Sequence, residues 1–157
     1  MKYFAYGSNL NIAQMKRRCP NAKMIGRSYL YNHRLVYKGS KTGAYLTVEP
    51  CDNSTVSLGV WEITKADERA LDRYEGFPEF YTKKKIRLKL HDLNTSEFIG
   101  CCTGIIYIMN DNREYGLPSD YYVDVCRRGY ADFGLQLSFL EKAYTDTKEA
   151  INGVCKI

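Results

Sequence analysis

Lys2-Tyr3-Phe4-Ala5-Tyr6-Gly7-Ser8-Asn9-Leu10 opens the chain with an aromatic, apolar run that stops at a glycine. Lys2 to Tyr6 reads as a strand and Gly7-Ser8-Asn9 as a tight turn. A short helix follows, capped by Asn9 or Asn11, with Ile12, Met15 and Cys19 on one face before Pro20. Beyond it come β-type runs at about 22–30, 34–38, 44–49 and 58–63. Asn32-His33, residues 39–43 and residues 51–57 separate them as turns. Short strands joined by polar turns predict a small barrel or a strongly curled sheet.

The second half adds helices. Thr64 caps a helix, with Asp67 three residues on as a near capping box and Ala70, Leu71 and Tyr74 facing inward, and Glu75-Gly76 ends it. Strands are expected at about 81–90 and 98–109. Pro118-Ser119 starts a helix that runs to about Arg128, with Gly129 as its stop. A last helix at about 136–150 carries Leu137, Leu140, Tyr144 and Ile151 as its packing stripe. No repeat or linker interrupts the 157 residues, so the reading is one α+β domain over 1–157, with the tail after about 150 unassigned.

Composition excludes several classes. Hydrophobic residues make up 45% and charged residues 26%, which is ordinary for a globular chain and unlike a disordered or low-complexity one. The longest uncharged apolar run, Phe98 to Met109, has twelve residues, too few for a membrane helix of ~20. The apolar stretch after Lys2 is too short for a signal peptide, so a cytoplasmic location and no membrane partner are expected. Six cysteines without a C-x-x-C pair read as free thiols, dispensable for catalysis. The net charge of +5 is too small and scattered for nucleic-acid binding. Lys83, Lys85, Arg87 and Lys89 read as the solvated side of a strand that buries Ile86, Leu88 and Leu90. Fourteen tyrosines supply rings with a polar tip, suited to lining a wet pocket.

The two histidines, His33 and His91, sit in turn-like segments, which argues against a nucleophile–histidine dyad. No Cys, His or carboxylate pair has metal-ligand spacing. The Tyr6-Gly7-Ser8-Asn9 turn lacks the lysine and further glycines of a phosphate loop. Its backbone N–H groups, at the positive end of a helix, form an anion cradle or simply a capped turn. Glu75 stands at a helix C-terminus, where the macrodipole disfavours negative charge and raises the carboxyl pKa, so it reads as a general acid/base or simply as a solvated helix-end carboxylate.

Taken together, Tyr3 to Leu10, Leu71-Asp72-Arg73-Tyr74-Glu75-Gly76, Tyr81, Pro118-Ser119 with Tyr122, Gly129 and Gly134-Leu135 resemble the γ-glutamylcyclotransferase (AIG2-like) family, in order over about residues 2–135. The resemblance implies a small mixed β-barrel with surrounding helices. It also implies an enzyme that needs no cofactor or metal and releases an amine from a small γ-glutamyl substrate as 5-oxoproline. Carried over residue by residue, Tyr6, Gly7, Ser8, Asn9 and Leu10 form the loop that holds the glutamyl group. Glu75 is the catalytic acid/base, and Tyr81 and Tyr122 line the pocket.

Within that superfamily the γ-glutamylamine branch resembles Tyr-Gly-Thr-Leu at the loop and the glutathione-degrading branch Tyr-Gly-Ser-Leu. Asn9 therefore favours a γ-glutamyl-amino-acid enzyme or a biosynthetic relative that strips a γ-glutamyl protecting group. The rival from another class is a non-catalytic module that keeps barrel and pocket, since a fold alone does not set an activity. The protein is expected as a monomer or homodimer.

Overall fold

The computed structural model describes residues 1–40 and 43–153. Strands β1 (Lys2–Ala5), β2 (Lys23–Ser40), β3 (Gly43–Glu62), β4 (Tyr81–His91), β5 (Phe98–Met109) and β6 (Glu114–Tyr115) form one sheet. Helices α1 (Ile12–Arg18), α2 (Lys65–Glu75), α3 (Asp120–Asp132) and α4 (Ser138–Ile151) surround it. The strand order β3-β1-β5-β4-β2 closes on itself through β2–β3 pairing, and β6 adds to the outer end of β2. The result is a closed five-stranded mixed barrel with four helices, as the sequence predicts. β1 makes it mixed, lying antiparallel to β3 (Ala5 opposite Gly59) and parallel to β5 (Tyr3 opposite Ile105). Phe4, Leu46, Val56, Leu58, Val60 and Ile106 fill the interior.

The β2–β3 hairpin corrects the sequence reading. The turns expected at Asn32-His33 and at residues 51–57 lie inside two continuous strands, which stay paired from Tyr31 opposite Thr55 to His33 opposite Pro50 across a register shift. Asn32 (φ 58°) and Asn53 (φ 64°) take left-handed backbone and absorb the irregularity, and the Asn53 N–H donates to Asn32 Oδ1 at 3.2 Å. Around Pro50–Asn53 the hairpin runs largely in solvent. Polar residues there satisfy the exposed faces of a strand and do not end it. Residues 41 and 42 of the predicted 39–43 turn, and Cys155, lie outside the described residues.

The helices follow their caps. Thr64 Oγ1 accepts from the Asp67 N–H while Asp67 Oδ2 accepts from the Thr64 N–H, a complete capping box, and Gly76 (φ 64°) ends α2. Ser119 caps α3, accepting from the Tyr122 N–H. Gly129, expected to stop that helix, lies within it, and the helix ends at Phe133-Gly134, where Gly134 takes φ 66°. The packing stripe of α4 also differs: Leu140, Ala143, Asp146 and Thr147 are buried, whereas Leu137, Tyr144 and Ile151 are exposed. Thr147 turns inward because its Oγ1 accepts from the Tyr37 N–H and donates to the Ala143 carbonyl, a use of polar atoms that hydrophobic spacing does not register.

On β4, Lys85, Arg87 and Lys89 are exposed as expected, while Lys84, on the face of the half-buried Ile86, Leu88 and Leu90, is exposed too, and Lys83 is not a solvated cation. Its Nζ lies 2.8 Å from Glu68 Oε1 and 3.0 Å from Asp72 Oδ1, which ties β4 to α2. Among the described residues no helix is long and apolar enough to cross a membrane. Cys19, Cys51, Cys101, Cys102 and Cys126 are all free.

Candidate active site

The turn after β1 begins the site. Ser8, Asn9 and Leu10 form one 3₁₀ turn, followed by Asn11 as the cap of α1, whose Oδ1 accepts from the Gln14 N–H. Its shape brings Asn9, only 3% exposed, toward the end of α2. The indole N–H of Trp61 on β3 donates to the Asn9 carbonyl at 2.8 Å and fixes the backbone. The Asn9 side-chain amide donates to Glu75 Oε1 at 3.0 Å and to the Tyr3 hydroxyl oxygen at 2.9 Å. Arg18, at the end of α1, donates to Asn9 Oδ1 at 2.8 Å.

Glu75 is the last residue of α2, held in place by the left-handed Gly76 that follows it. Its carboxyl pKa is pushed up to about 7 by burial, against the smaller lowering effects of the Arg18 charge and the Asn9 hydrogen bond. The direction expected from the helix end is therefore found, but desolvation is the leading cause. Among the described residues Oε2 has no hydrogen-bond partner, so one oxygen is anchored and the other is left available.

A cavity of about 360 Å³ lies against this carboxyl. Tyr3, Tyr6, Tyr74, Tyr81, Tyr107 and Tyr122 line it, with Tyr45 and Phe80 among its further lining. The phenol oxygens are engaged in holding the wall. Tyr6 donates to the Tyr107 carbonyl, Tyr81 donates to the Leu46 carbonyl at 2.9 Å, and the Tyr122 hydroxyl accepts from the Leu46 N–H at 3.1 Å. Burial raises the pKa values of Tyr3, Tyr81 and Tyr122 well above the ordinary phenol range, so these rings stay neutral. Tyr74 and Ser8 share a hydrogen bond of 3.1 Å across the loop.

Of the residues singled out from sequence, Tyr6, Gly7, Ser8, Asn9, Glu75, Tyr81 and Tyr122 all line this one cavity. Leu10 does not. It is fully buried beneath the turn, with its Cδ2 against the backbone of Gly59, and anchors the loop from below. A side chain on Gly7 would crowd the Tyr122 hydroxyl, 3.1 Å from the position of its Cβ, and Leu46 beyond it. Among the described residues the backbone N–H groups of Gly7, Ser8 and Asn9 have no partner, which leaves donors at the cavity edge. Sequence reasoning missed Arg18, which reads there as the end of a basic helix turn. It also gave no role to Tyr3, and it turned Tyr74 inward with the packing face of α2, whereas Tyr74 is 45% exposed and lines the cavity. Among the described residues no group of three or more His, Cys, Asp or Glu side chains is placed to hold a metal ion.

A small closed barrel with a half-buried acidic group in a tyrosine-walled pocket defines the class. A family model described as gamma-glutamyl cyclotransferase, AIG2-like, matches residues 3–124, and the chain belongs to that family. It is 28% identical over 148 residues to human gamma-glutamylcyclotransferase, a match that covers 89% of this chain and 75% of the human protein. A solved structure titled gamma-glutamyl cyclotransferase superposes with a TM-score of 0.77 at 26% identity, covering 91% of this chain and 85% of that one. YkqA from Bacillus subtilis, at 17% identity and a TM-score of 0.72, shares the fold, with 94% of this chain and 54% of that one covered. The protein is thus a cyclotransferase of this family.

Proposed function

We propose that the protein cleaves a small γ-glutamyl compound, a γ-glutamyl amino acid or a γ-glutamylated metabolite, to 5-oxoproline and a free amine, with Glu75 as general acid/base. The observation that carries the reading is the Glu75 carboxyl, anchored by Asn9 through one oxygen, free at the other and facing a pocket of small-ligand size. A pKa of about 7 keeps both protonation states populated near neutrality, as a group that first takes a proton and then returns it requires.

The reaction starts with the substrate's α-ammonium, which loses a proton to the Glu75 carboxylate. The freed amine attacks the γ-carbonyl of the same molecule and closes a five-membered ring through a tetrahedral intermediate. Collapse breaks the original amide C–N bond as the departing nitrogen takes the proton from Glu75, and the regenerated carboxylate removes the second proton of the ring nitrogen and passes it to the released amine, which leaves as an ammonium. Atoms and charge balance without a co-reactant. Nucleophile and electrophile are in one molecule, so a wall that keeps the chain folded supplies much of the rate, with effective molarities that reach ~10⁵ M. The unpartnered amides of Gly7, Ser8 and Asn9 are suited to the substrate carboxylate or to the developing oxyanion. Asn9 in the loop supports a γ-glutamyl-amino-acid or biosynthetic enzyme over the γ-glutamylamine type.

The test is 5-oxoproline release from a panel of γ-glutamyl amino acids and γ-glutamylamines by the parent and by Glu75→Gln. Turnover by the parent on at least one γ-glutamyl amino acid, with a loss of ~10²-fold or more in the variant, is expected. A variant within a few-fold of the parent overturns the role of Glu75, and a parent inert on the whole panel overturns the substrate class.

A further inference from the structure

Lys16, Arg17 and Arg18 form a basic run at the end of α1, and the first two are exposed. Arg18 alone turns inward. Its guanidinium lies 3.5 Å from the centre of the Tyr74 ring, donates through Nη1 to Asn9 Oδ1 at 2.8 Å and through Nη2 to Gln14 Oε1 at 2.6 Å. Among the described residues it is paired with no carboxylate: neither bond nor ion pair joins it to Glu75, which it reaches across Asn9 and Tyr74. A cation in the second layer around a carboxyl, stacked on one neighbour and bonded to another, is placed to act through them.

The donor and acceptor chemistry of Asn9 gives that action a direction. A guanidinium has donors only and an ionised carboxylate has acceptors only. With Arg18 on one side of the amide, its oxygen must face Arg18, and its NH₂ group is then turned to Glu75 and Tyr3. Without Arg18 the amide is free to turn over, and the reversed orientation sets a carbonyl oxygen against the carboxylate. The stack on Tyr74 works in parallel, since the Tyr74 hydroxyl meets Ser8 Oγ at 3.1 Å and so fixes the second loop residue. One side chain thus holds the loop on both faces of the cavity.

We infer that Arg18 is a positioning residue for the reaction, locking the Asn9 amide with its donor side toward Glu75 and holding Tyr74 against Ser8. This rests on the proposed role of Glu75 as acid/base. The charged and titratable groups facing Glu75 are few. Tyr3 from β1, Tyr6 from the loop, Tyr74 from α2, Tyr81 from β4, Tyr107 from β5 and Tyr122 from α3 are all phenols whose pKa values burial raises, and they stay neutral. Arg73, on the cavity edge, is exposed, and Asp72 is occupied by Lys83 and the Tyr107 hydroxyl. Arg18 is the cation whose field lowers the Glu75 pKa. Its removal and the reversal of the amide both favour the protonated carboxyl.

The experiment is the pH dependence of kcat and KM for the parent, Arg18→Met and Arg18→Lys, with Glu75→Gln as reference. In Arg18→Met the acid limb of kcat should move upward by ~0.5 pH unit or more, and kcat at pH 7 should fall ~5-fold or more with KM changed much less. Arg18→Lys keeps a charge and a donor for Asn9 but loses the planar stack, so its limb should fall between the other two. A limb that stays at the parent's pH in Arg18→Met overturns the inference, and if that variant fails to fold, an unmoved limb in Arg18→Lys does so. Failure of the underlying reading looks different, because Glu75→Gln then keeps its turnover.

Discussion

Glu75 connects the activity of the site to the stability of the molecule. Its carboxyl titrates near 7 in the fold instead of its ordinary 4.5, chiefly through burial. Between those two values the native state holds a proton that the unfolded chain has released. The contribution of Glu75 to stability is therefore fully present below about pH 4.5 and is lost as the pH rises through about 7. Glu75→Gln is neutral throughout and escapes that loss. Its melting temperature should exceed the parent's by about 2 °C or more at pH 8, and the gap should close near pH 4. Every other titrating group is common to the two proteins, so thermal melts followed by circular dichroism at the two pH values isolate this carboxyl. A gap of the same size at both pH values, or a less stable variant at pH 8, would mean that contacts in the site already compensate the charge. A gain in stability together with the loss of turnover is what a functional group held in an unfavourable environment produces.

Helix α3 carries a prediction in which two preferences oppose each other. Gly129 lies within it, and a Cβ there would come within 2.6 Å of the Asn11 nitrogen and 2.7 Å of the Leu10 carbonyl carbon. Alanine is the better helix former by ~1 kcal/mol, yet it would press on backbone that cannot turn aside. Gly129→Ala should lower stability by ~1–3 kcal/mol in urea unfolding, and a stabilised variant would show that the turn at Leu10 moves freely. The same position marks the limit of the sequence. There, Gly129 is indistinguishable from a helix stop, because what it makes room for is more than a hundred residues away. Features set by near neighbours were legible: the Thr64–Asp67 capping box, Gly76 after α2, the Ser119 cap and the alternation along β4. The parts set by distant partners were not. Lys83 looks like its exposed neighbours until Glu68 and Asp72 are beside it, and Arg18 looks like Arg17 until Asn9 is. In the site, the motifs brought seven of the eight expected residues to one cavity, while Leu10, inside the same motif, turned out to support the loop from the core.

Closure of the barrel is a property of the whole chain and depends on one narrow seam. β2 and β4 share a single backbone pair, Arg27 opposite His91, whereas the other neighbours in the ring pair over two or more positions. Side chains supplement this short ladder. Ser28 Oγ donates to the Lys89 carbonyl across the seam. The Arg27 guanidinium donates to the carbonyls of Asp92 and Leu93 in the β4–β5 turn, to Ser96 Oγ, and to the carbonyls of Phe133 and Gly134 at the end of α3. Arg27→Met keeps the apolar stem and removes these donors, and should cost ~1–3 kcal/mol, the range for hydrogen bonds from a charged group. The loss should appear locally, with amides near residues 27–29 and 89–91 exchanging faster than those of β1 and the facing part of β3. Activity should not follow. The cavity takes Tyr81 from the first position of β4, whereas His91 is ten residues further on, about 33 Å along an extended strand. Where the variant is fully folded, kcat should stay within ~2-fold of the parent. A kcat that declined together with the stability would mean that opening the seam reaches Glu75 through the length of β4, and that the barrel acts as one mechanical unit with its active site.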